Sequence, residues 1–160
     1  MGIFGGSGPD LEALRDRWAR AWPDALALWS RYTQLHDPTW CFTREQEADA
    51  GLDDSFAMIR FADQAVVISL RQVAGKGLEN FAREILGHEI GHHVLCPGNL
   101  ADHARLIARI RAGIPGKEQH AAFLANIFGD LLINDRLQRQ AGLDMAGVYR
   151  ALGGGSTDQL

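Results

Sequence analysis

The sequence predicts an α+β fold that is mostly helical and contains a small β-sheet. Two runs of β-forming residues, 55–61 and 65–70, are separated by three residues and are typical of a hairpin. Apolar residues recur at helical spacing before these runs and over a longer stretch after them. The order of helix, small sheet and further helices is that of an α+β domain.

The first helix is predicted from its cap and its apolar stripe. Asp10 can cap a helix whose stripe includes Leu14, Trp18 and Trp22. Pro23 interrupts this pattern and can start a new turn. The four tryptophans of the chain all precede residue 45 and are expected to lie in the core.

The helices after the hairpin follow a loop that contains two glycines, at residues 71–77. Apolar periodicity predicts helices over about 78–95, 100–112 and 117–141, and a short final helix over 144–152.

Composition indicates one domain over 10–152, between flexible Gly- and Ser-rich ends at 1–9 and 153–160. The net charge of −4 argues against nucleic acid as a partner, and no apolar run is long enough to cross a membrane. The chain starts without a signal pattern, and Cys41 and Cys96 do not form a disulfide framework. A cytoplasmic location is therefore expected.

One motif carries the chemistry. Residues 88–93 read His-Glu-Ile-Gly-His-His and lie within the helical pattern of 78–95. His88 and His92 are four residues apart, so they share one helix face and can reach one metal ion. Zinc suits imidazole, and a catalytic zinc site uses three protein ligands and a water. Glu89 is rotated around the helix and can take a proton from the zinc-bound water as that water attacks a carbonyl.

The same helix carries two glycines, Gly87 and Gly91, on another side from the histidines. Because glycine has no side chain, we expect a neighbouring element to approach the helix closely at these positions. Ile85 precedes the histidines on their own face, which indicates that this face points inward.

The His-Glu-x-x-His motif resembles that of the zincin superfamily of zinc metallopeptidases. The resemblance covers the chain from the strand near residue 65 to the helix near residue 141. It implies a zincin-like fold with an active-site helix. It also implies a strand edge, here Val66–Leu70, that runs beside the cleft and pairs with an extended peptide. A later helix is expected to supply the third ligand.

The third ligand is sought in a polar row, Asn126, Asp130 and Asn134, on a face that it shares with Ile133 and other apolar residues. A polar row within an apolar stripe needs a reason. Asp130 is the only carboxylate of the row and is predicted to be the third ligand. In the register of the glutamate-type zincins, Asn126 would instead be the ligand and Asp130 would orient a ligand histidine.

If neither Asp130 nor Asn126 binds the metal, another residue must be the third ligand. The subclass with a third histidine ten residues after the first is excluded, because Gly98 occupies that position. His93, His120 and Cys96 are the remaining candidates, although His93 is expected to point away from the pair.

The Asn-x-x-x-Asp-x-x-x-Asn pattern after the motif looks like that of predicted bacterial metallopeptidases associated with von Willebrand-type domain proteins and MoxR-type ATPases. This resemblance implies a cytoplasmic enzyme that works with partner proteins.

The predicted function is zinc-dependent hydrolysis of peptide bonds in a protein or peptide substrate. One alternative is a non-catalytic zinc-binding interaction domain, against which Glu89 argues because a structural site needs no base. The other alternative is a zinc-dependent hydrolase of a different amide or ester.

Overall fold

The computed structural model describes residues 9–153. The predicted flexible ends lie outside these residues, apart from Pro9 and Gly153. The chain forms an α+β fold in which helices predominate. Its elements in chain order are α1 (Leu11–Ala27), β1 (Thr39–Cys41), α2 (Arg44–Asp49), β2 (Ala57–Arg60), β3 (Ala65–Ser69), α3 (Leu70–Gly75), α4 (Ala82–Val94), α5 (Leu100–Gly113), a 3₁₀ turn (Glu118–His120), α6 (Ala121–Ala141) and α7 (Met145–Gly153).

The sheet has three strands in the order β1-β3-β2. The predicted hairpin is confirmed, because β2 pairs antiparallel with β3 and Ala57 lies opposite Ile68. The strand β1 was not predicted; it pairs in parallel with β3, with Thr39 opposite Val67. It has only three residues, too few for an alternating pattern to be recognised.

The expected cleft edge, Val66–Leu70, is wrong. Val66 to Ser69 belong to β3, which is paired on both sides, and Leu70 begins α3. The strand that borders the cleft is β2, which within residues 9–153 pairs with β3 alone. The burial of β3 explains why its sequence is a continuous apolar run, which is typical of a central strand.

The helix α1 begins as predicted, since the Asp10 side chain accepts a hydrogen bond from the backbone N–H of Ala13 at 3.0 Å. It does not restart at Pro23 but continues to Ala27. Proline removes one helical hydrogen bond. The buried stripe of Trp18, Trp22 and Ala25 passes through this position, so packing outweighs that loss.

The region predicted as a loop at 71–77 contains the short helix α3. The Ser69 side chain caps this helix by accepting from the backbone N–H of Gln72, while Leu70 and Val73 are buried. The short helix α2 was also missed. Thr43 and Gln46 form its capping box.

The close approach predicted at the two glycines of α4 is confirmed. A Cβ at Gly91 would lie 2.6 Å from the Ile133 side chain of α6 and 2.6 Å from Trp29. A Cβ at Gly87 would lie 3.0 Å from Leu28. These contacts let α6 and the segment after α1 pack directly against the backbone of α4.

The core lies between the sheet and the helices α1, α4 and α6. Trp18, Trp22 and Trp29 are buried in it, as predicted, and Trp40 packs against it. Phe123, which shares its face with the polar row, is 63% exposed. Across residues 9–153, no helix combines the length and the hydropathy that crossing a membrane requires.

Candidate metal centre and cleft

Three predicted site residues converge on one point. The Nε2 atoms of His88 and His92 are 3.2 Å apart, and each lies 3.4 Å from Oδ1 of Asp130. Among the described residues, these three side chains form the one group of His, Cys, Asp and Glu with the spacing of a metal site. The structure thus brings together the two motif histidines and the carboxylate that the sequence singled out.

Two helices supply these side chains. His88 and His92 occupy successive turns of α4, whereas Asp130 lies near the middle of α6. The Gly91–Ile133 contact sets the spacing of the two helices just beside the cluster. On the same side of α6, Gly129 lies close to the His92 ring and the Cys96 carbonyl.

The other ring nitrogens of both histidines face acceptors. Nδ1 of His88 is 2.8 Å from Oδ1 of Asn134, and Nδ1 of His92 is 2.9 Å from the carbonyl oxygen of Cys96. A carbonyl oxygen can only accept, so each Nδ1 carries the proton and donates it. In the neutral rings, each Nε2 therefore carries the lone pair, and both Nε2 atoms lie 3.4 Å from Oδ1 of Asp130. This is how metal-binding histidines are usually oriented.

Three acceptor atoms at this spacing repel one another unless a cation lies among them. A proton bound to one of the histidines can supply this positive charge. In agreement, the pKa of His88 is raised. Burial would lower that pKa, but the hydrogen bond with Asp130 and the charge of Glu89 outweigh it. The pKa of Asp130 is lowered, since its hydrogen bonds with His88 and His92 outweigh the opposite effect of burial. A metal ion would satisfy all three atoms together.

The distances between the three donor atoms fit a bound metal ion. Bonds of 2.0–2.1 Å in tetrahedral geometry place neighbouring ligand atoms about 3.3–3.5 Å apart. The observed separations of 3.2, 3.4 and 3.4 Å are close to that range. The donor set of two imidazoles and one carboxylate belongs to the combinations that divalent transition metals accept.

Glu89 is buried, with 8% of its surface exposed, and lines the same cleft as the cluster. Burial raises its pKa, although the charges of His88 and His92 oppose this effect. The backbone N–H of Ile59 on β2 also favours the charged form. Glu89 is outside the three-atom group, so its carboxylate remains available for proton transfer.

The cleft has a volume of about 410 Å³ and lies between β2, α4, α6 and α7. Beyond the cluster it is lined by Asn126, by Asn134 and by Tyr149 of α7. The Tyr149 hydroxyl accepts a hydrogen bond from Nδ2 of Asn134 at 2.8 Å. A chain of contacts therefore runs from α7 through Asn134 to His88.

The alternative third ligands lie elsewhere. Asn126 lines the cleft but, within the described residues, forms no hydrogen bond with either motif histidine. His93 points away, as predicted, with Nδ1 2.7 Å from Oε1 of Gln64. His120 is exposed at the start of α6, and Cys96 contributes its backbone carbonyl.

Three parts of the site were not found from sequence. Cys96 contacts His92 through its backbone carbonyl oxygen. Every residue has such an oxygen, so nothing in the sequence indicates this role. Tyr149 was considered for the site but could not be placed, because it reaches the cleft only through the packing of α7 beneath it. Ile59 takes part through its backbone, and its only signal was its position in the hairpin.

Comparison with known proteins adds no relative. No family model, curated protein or solved structure matches the chain.

Proposed function

We propose that this protein is a zinc-dependent peptidase of the zincin type, in which Glu89 is the general base. One observation carries the proposal. The Nε2 atoms of His88 and His92 and the Oδ1 atom of Asp130 converge at tetrahedral spacing, and the buried carboxylate of Glu89 lies in the same cleft. A site that only held a metal for structure would not need this additional carboxylate.

His88, His92 and Asp130 would hold the zinc ion, leaving one ligand position open. When bound, zinc supplies Lewis acidity, which lowers the pKa of water and polarises a carbonyl. Asn134 and the Cys96 carbonyl keep the two imidazoles oriented, so little reorganisation is needed when the metal enters.

Glu89 performs the proton transfer in this proposal. Its carboxylate accepts a proton from the attacking water and delivers it to the nitrogen of the leaving amine. Burial raises the pKa of Glu89 towards neutral pH, and this suits both accepting and donating a proton. The low polarity around the carboxylate also strengthens its interaction with the proton.

A peptide is the favoured substrate because β2, which pairs with no strand other than β3 within residues 9–153, borders the cleft. Segment 55–61 contributes much of the cleft wall, and β2 pairs with β3 on its other side. An extended chain can add to the edge of such a strand through main-chain hydrogen bonds, which places a peptide carbonyl near the metal centre. Esters and other small amides lack the repeated groups that would use this edge.

The proposal includes a cytoplasmic location. Cys41 and Cys96 are both free, which agrees with a reducing compartment.

A charge-removing variant tests the proposal. Purified protein is expected to contain about one zinc ion per chain, and to hydrolyse a mixture of blocked fluorogenic peptides. Glu89→Gln is expected to keep its zinc and to lose at least about 100-fold in rate. Glu12→Gln on the exposed surface of α1 is the matched control and is expected to behave like the wild type.

Two outcomes would reject the proposal. The first is a protein that binds no transition metal after zinc is added. The second is a Glu89→Gln variant that hydrolyses the peptides as fast as the wild type. Zinc binding without hydrolysis of any peptide would favour the interaction-domain alternative.

A further inference from the structure

The cleft carries one carboxylate that the proposed reaction does not use. Glu84 lies on α4 one turn before His88, lines the cleft and is partly exposed. Within residues 9–153 it forms no salt bridge. Its charge is therefore available to a molecule in the cleft.

The charge balance of the cleft leaves Glu84 without compensation. Its ionisable lining residues are three carboxylates, Glu84, Glu89 and Asp130, two histidines and the phenol of Tyr149. No described Lys or Arg lines it. A divalent metal ion held by the two histidines and Asp130 would offset two of the three negative charges in the cleft. The charge of Glu84 would then remain as the negative end of the cleft.

Glu84 shares the cleft with a set of apolar residues. Of these, Ile85, Met145 and Val148 are buried in the hydrophobic core, and Phe56 and Leu152 are partly buried and pack against that core. We refer to these five residues as the apolar wall. Because Glu84 and the wall line the same cleft, one ligand in the cleft has access to both.

A cleft that combines an apolar wall with a free carboxylate matches an aliphatic stem that ends in a positive charge. Lysine side chains bury their methylene groups along apolar surface while the ammonium group contacts an acceptor. Norleucine would gain only the wall, and a short cation would gain only the charge. Glutamate would be repelled.

We infer that Glu84 is a specificity-determining residue, which makes the cleft prefer peptides with a lysine side chain lying along the apolar wall. This inference rests on the proposed function, because it assumes that a peptide occupies the cleft.

The experiment uses peptides blocked at both ends, in which lysine, norleucine or glutamate is placed at successive single positions. At one position, kcat/KM is expected to be higher for lysine than for norleucine by about three- to fivefold, and lowest for glutamate. Glu84→Gln is expected to make kcat/KM equal for the lysine and norleucine peptides. Glu84→Lys is expected to reverse the order, so that kcat/KM is highest for the glutamate peptide and lowest for the lysine peptide. Glu12→Gln is the control and should keep the wild-type ratio. Added salt should reduce the ratio.

A binding measurement separates this inference from the proposed function. The same peptides, labelled with a fluorophore, are titrated with zinc-loaded Glu89→Gln protein, with and without Glu84→Gln. Tighter binding of the lysine peptide that Glu84→Gln removes would support the inference even if no peptide were hydrolysed. A lysine preference that Glu84→Gln leaves intact, equal binding of lysine and norleucine, or no peptide binding would each overturn it, whether or not the protein is a peptidase.

Discussion

Ile133 of α6 lies directly over Gly91 of α4, where even a methyl group would be 2.6 Å from its Cγ2 atom. Gly91 immediately precedes His92 on α4, and Ile133 lies about one turn after Asp130 on α6. Their contact therefore fixes the distance between the two helices that carry the three converging donor atoms.

Gly91→Ala is expected to lower the free energy of unfolding by about 1–3 kcal/mol, because the new methyl group must displace Ile133 and Trp29. Gly113→Ala at the end of α5 is the matched control, since nothing lies within 4 Å of its added Cβ. Urea denaturation of both variants and the wild type makes the comparison. If Gly91→Ala were as stable as the control, the two helices would not be in such close contact.

The parts of this arrangement that the sequence predicted are those with long periodic patterns. The helices α4 and α6 extend over several turns, so the faces of His88, His92 and Asp130 could be assigned. The two glycines of α4 predicted the close approach without identifying the partner helix. Asn126 and Asp130 share one face of α6, so which of them meets the histidines depends on how far α6 is shifted along its axis relative to α4, and periodicity does not fix that shift.

The shortest elements escaped prediction, for a different reason. The strand β1 and the helices α2 and α3 have three to six residues, and local capping and burial stabilise them more than any repeat does. The edge position of β2 was missed because strand order is set by the pairing of β1, which had no signal of its own. Without that third strand, both strands of a hairpin are edges.

Asp130→Ala is expected to weaken zinc binding by more than about 100-fold, since two histidines alone would remain. Asn126→Ala, one turn earlier on α6, is expected to change the affinity less than about tenfold, because Asn126 lines the cleft outside the donor group. Competition with a chromogenic chelator measures both affinities. The opposite order would make Asn126 the ligand, in the register of the glutamate-type zincins.

Asn134→Ala is expected to lower zinc affinity by about 10- to 100-fold, because His88 loses the acceptor that orients its ring. Asn134→Asp keeps an acceptor at this position and should restore most of the affinity. Tyr149→Phe should have a smaller effect, since its hydroxyl contacts the amide and not the imidazole. The chelator competition applies again, with Gln138→Ala on the exposed side of α6 as the control. Equal affinity of Asn134→Ala and wild type would exclude this orienting role.

The buried carboxylate of Glu47 predicts a loss of stability at acidic pH. Burial acts to raise its pKa, but hydrogen bonds from Arg71 and Ser69 and the charge of Arg71 outweigh burial, so the pKa is lowered. The folded state therefore binds this proton less tightly than the unfolded chain. The stabilisation is complete above the unfolded pKa and is lost as the pH falls through the folded one.

Urea denaturation between pH 7 and pH 3 measures this loss. The free energy of unfolding of the wild type is expected to fall more steeply below the ordinary glutamate pKa than that of Glu47→Gln, in which the group cannot titrate. The other carboxylates titrate in both proteins, so the difference between the curves isolates Glu47. Parallel curves would show that Glu47 has the same pKa in the folded and unfolded states.

The division of the site between α4, α6 and α7 has a consequence for synthesis of the chain. A ribosome releases His88, Glu89 and His92 well before Asp130, and Asn134 and Tyr149 follow later. A nascent chain that ends before α6 has the base and two imidazoles but no third donor and no orienting amide. If the proposed function holds, hydrolytic competence would arrive only once Asp130 and α6 have been made, so a copy whose synthesis had not reached them could not cleave its neighbours.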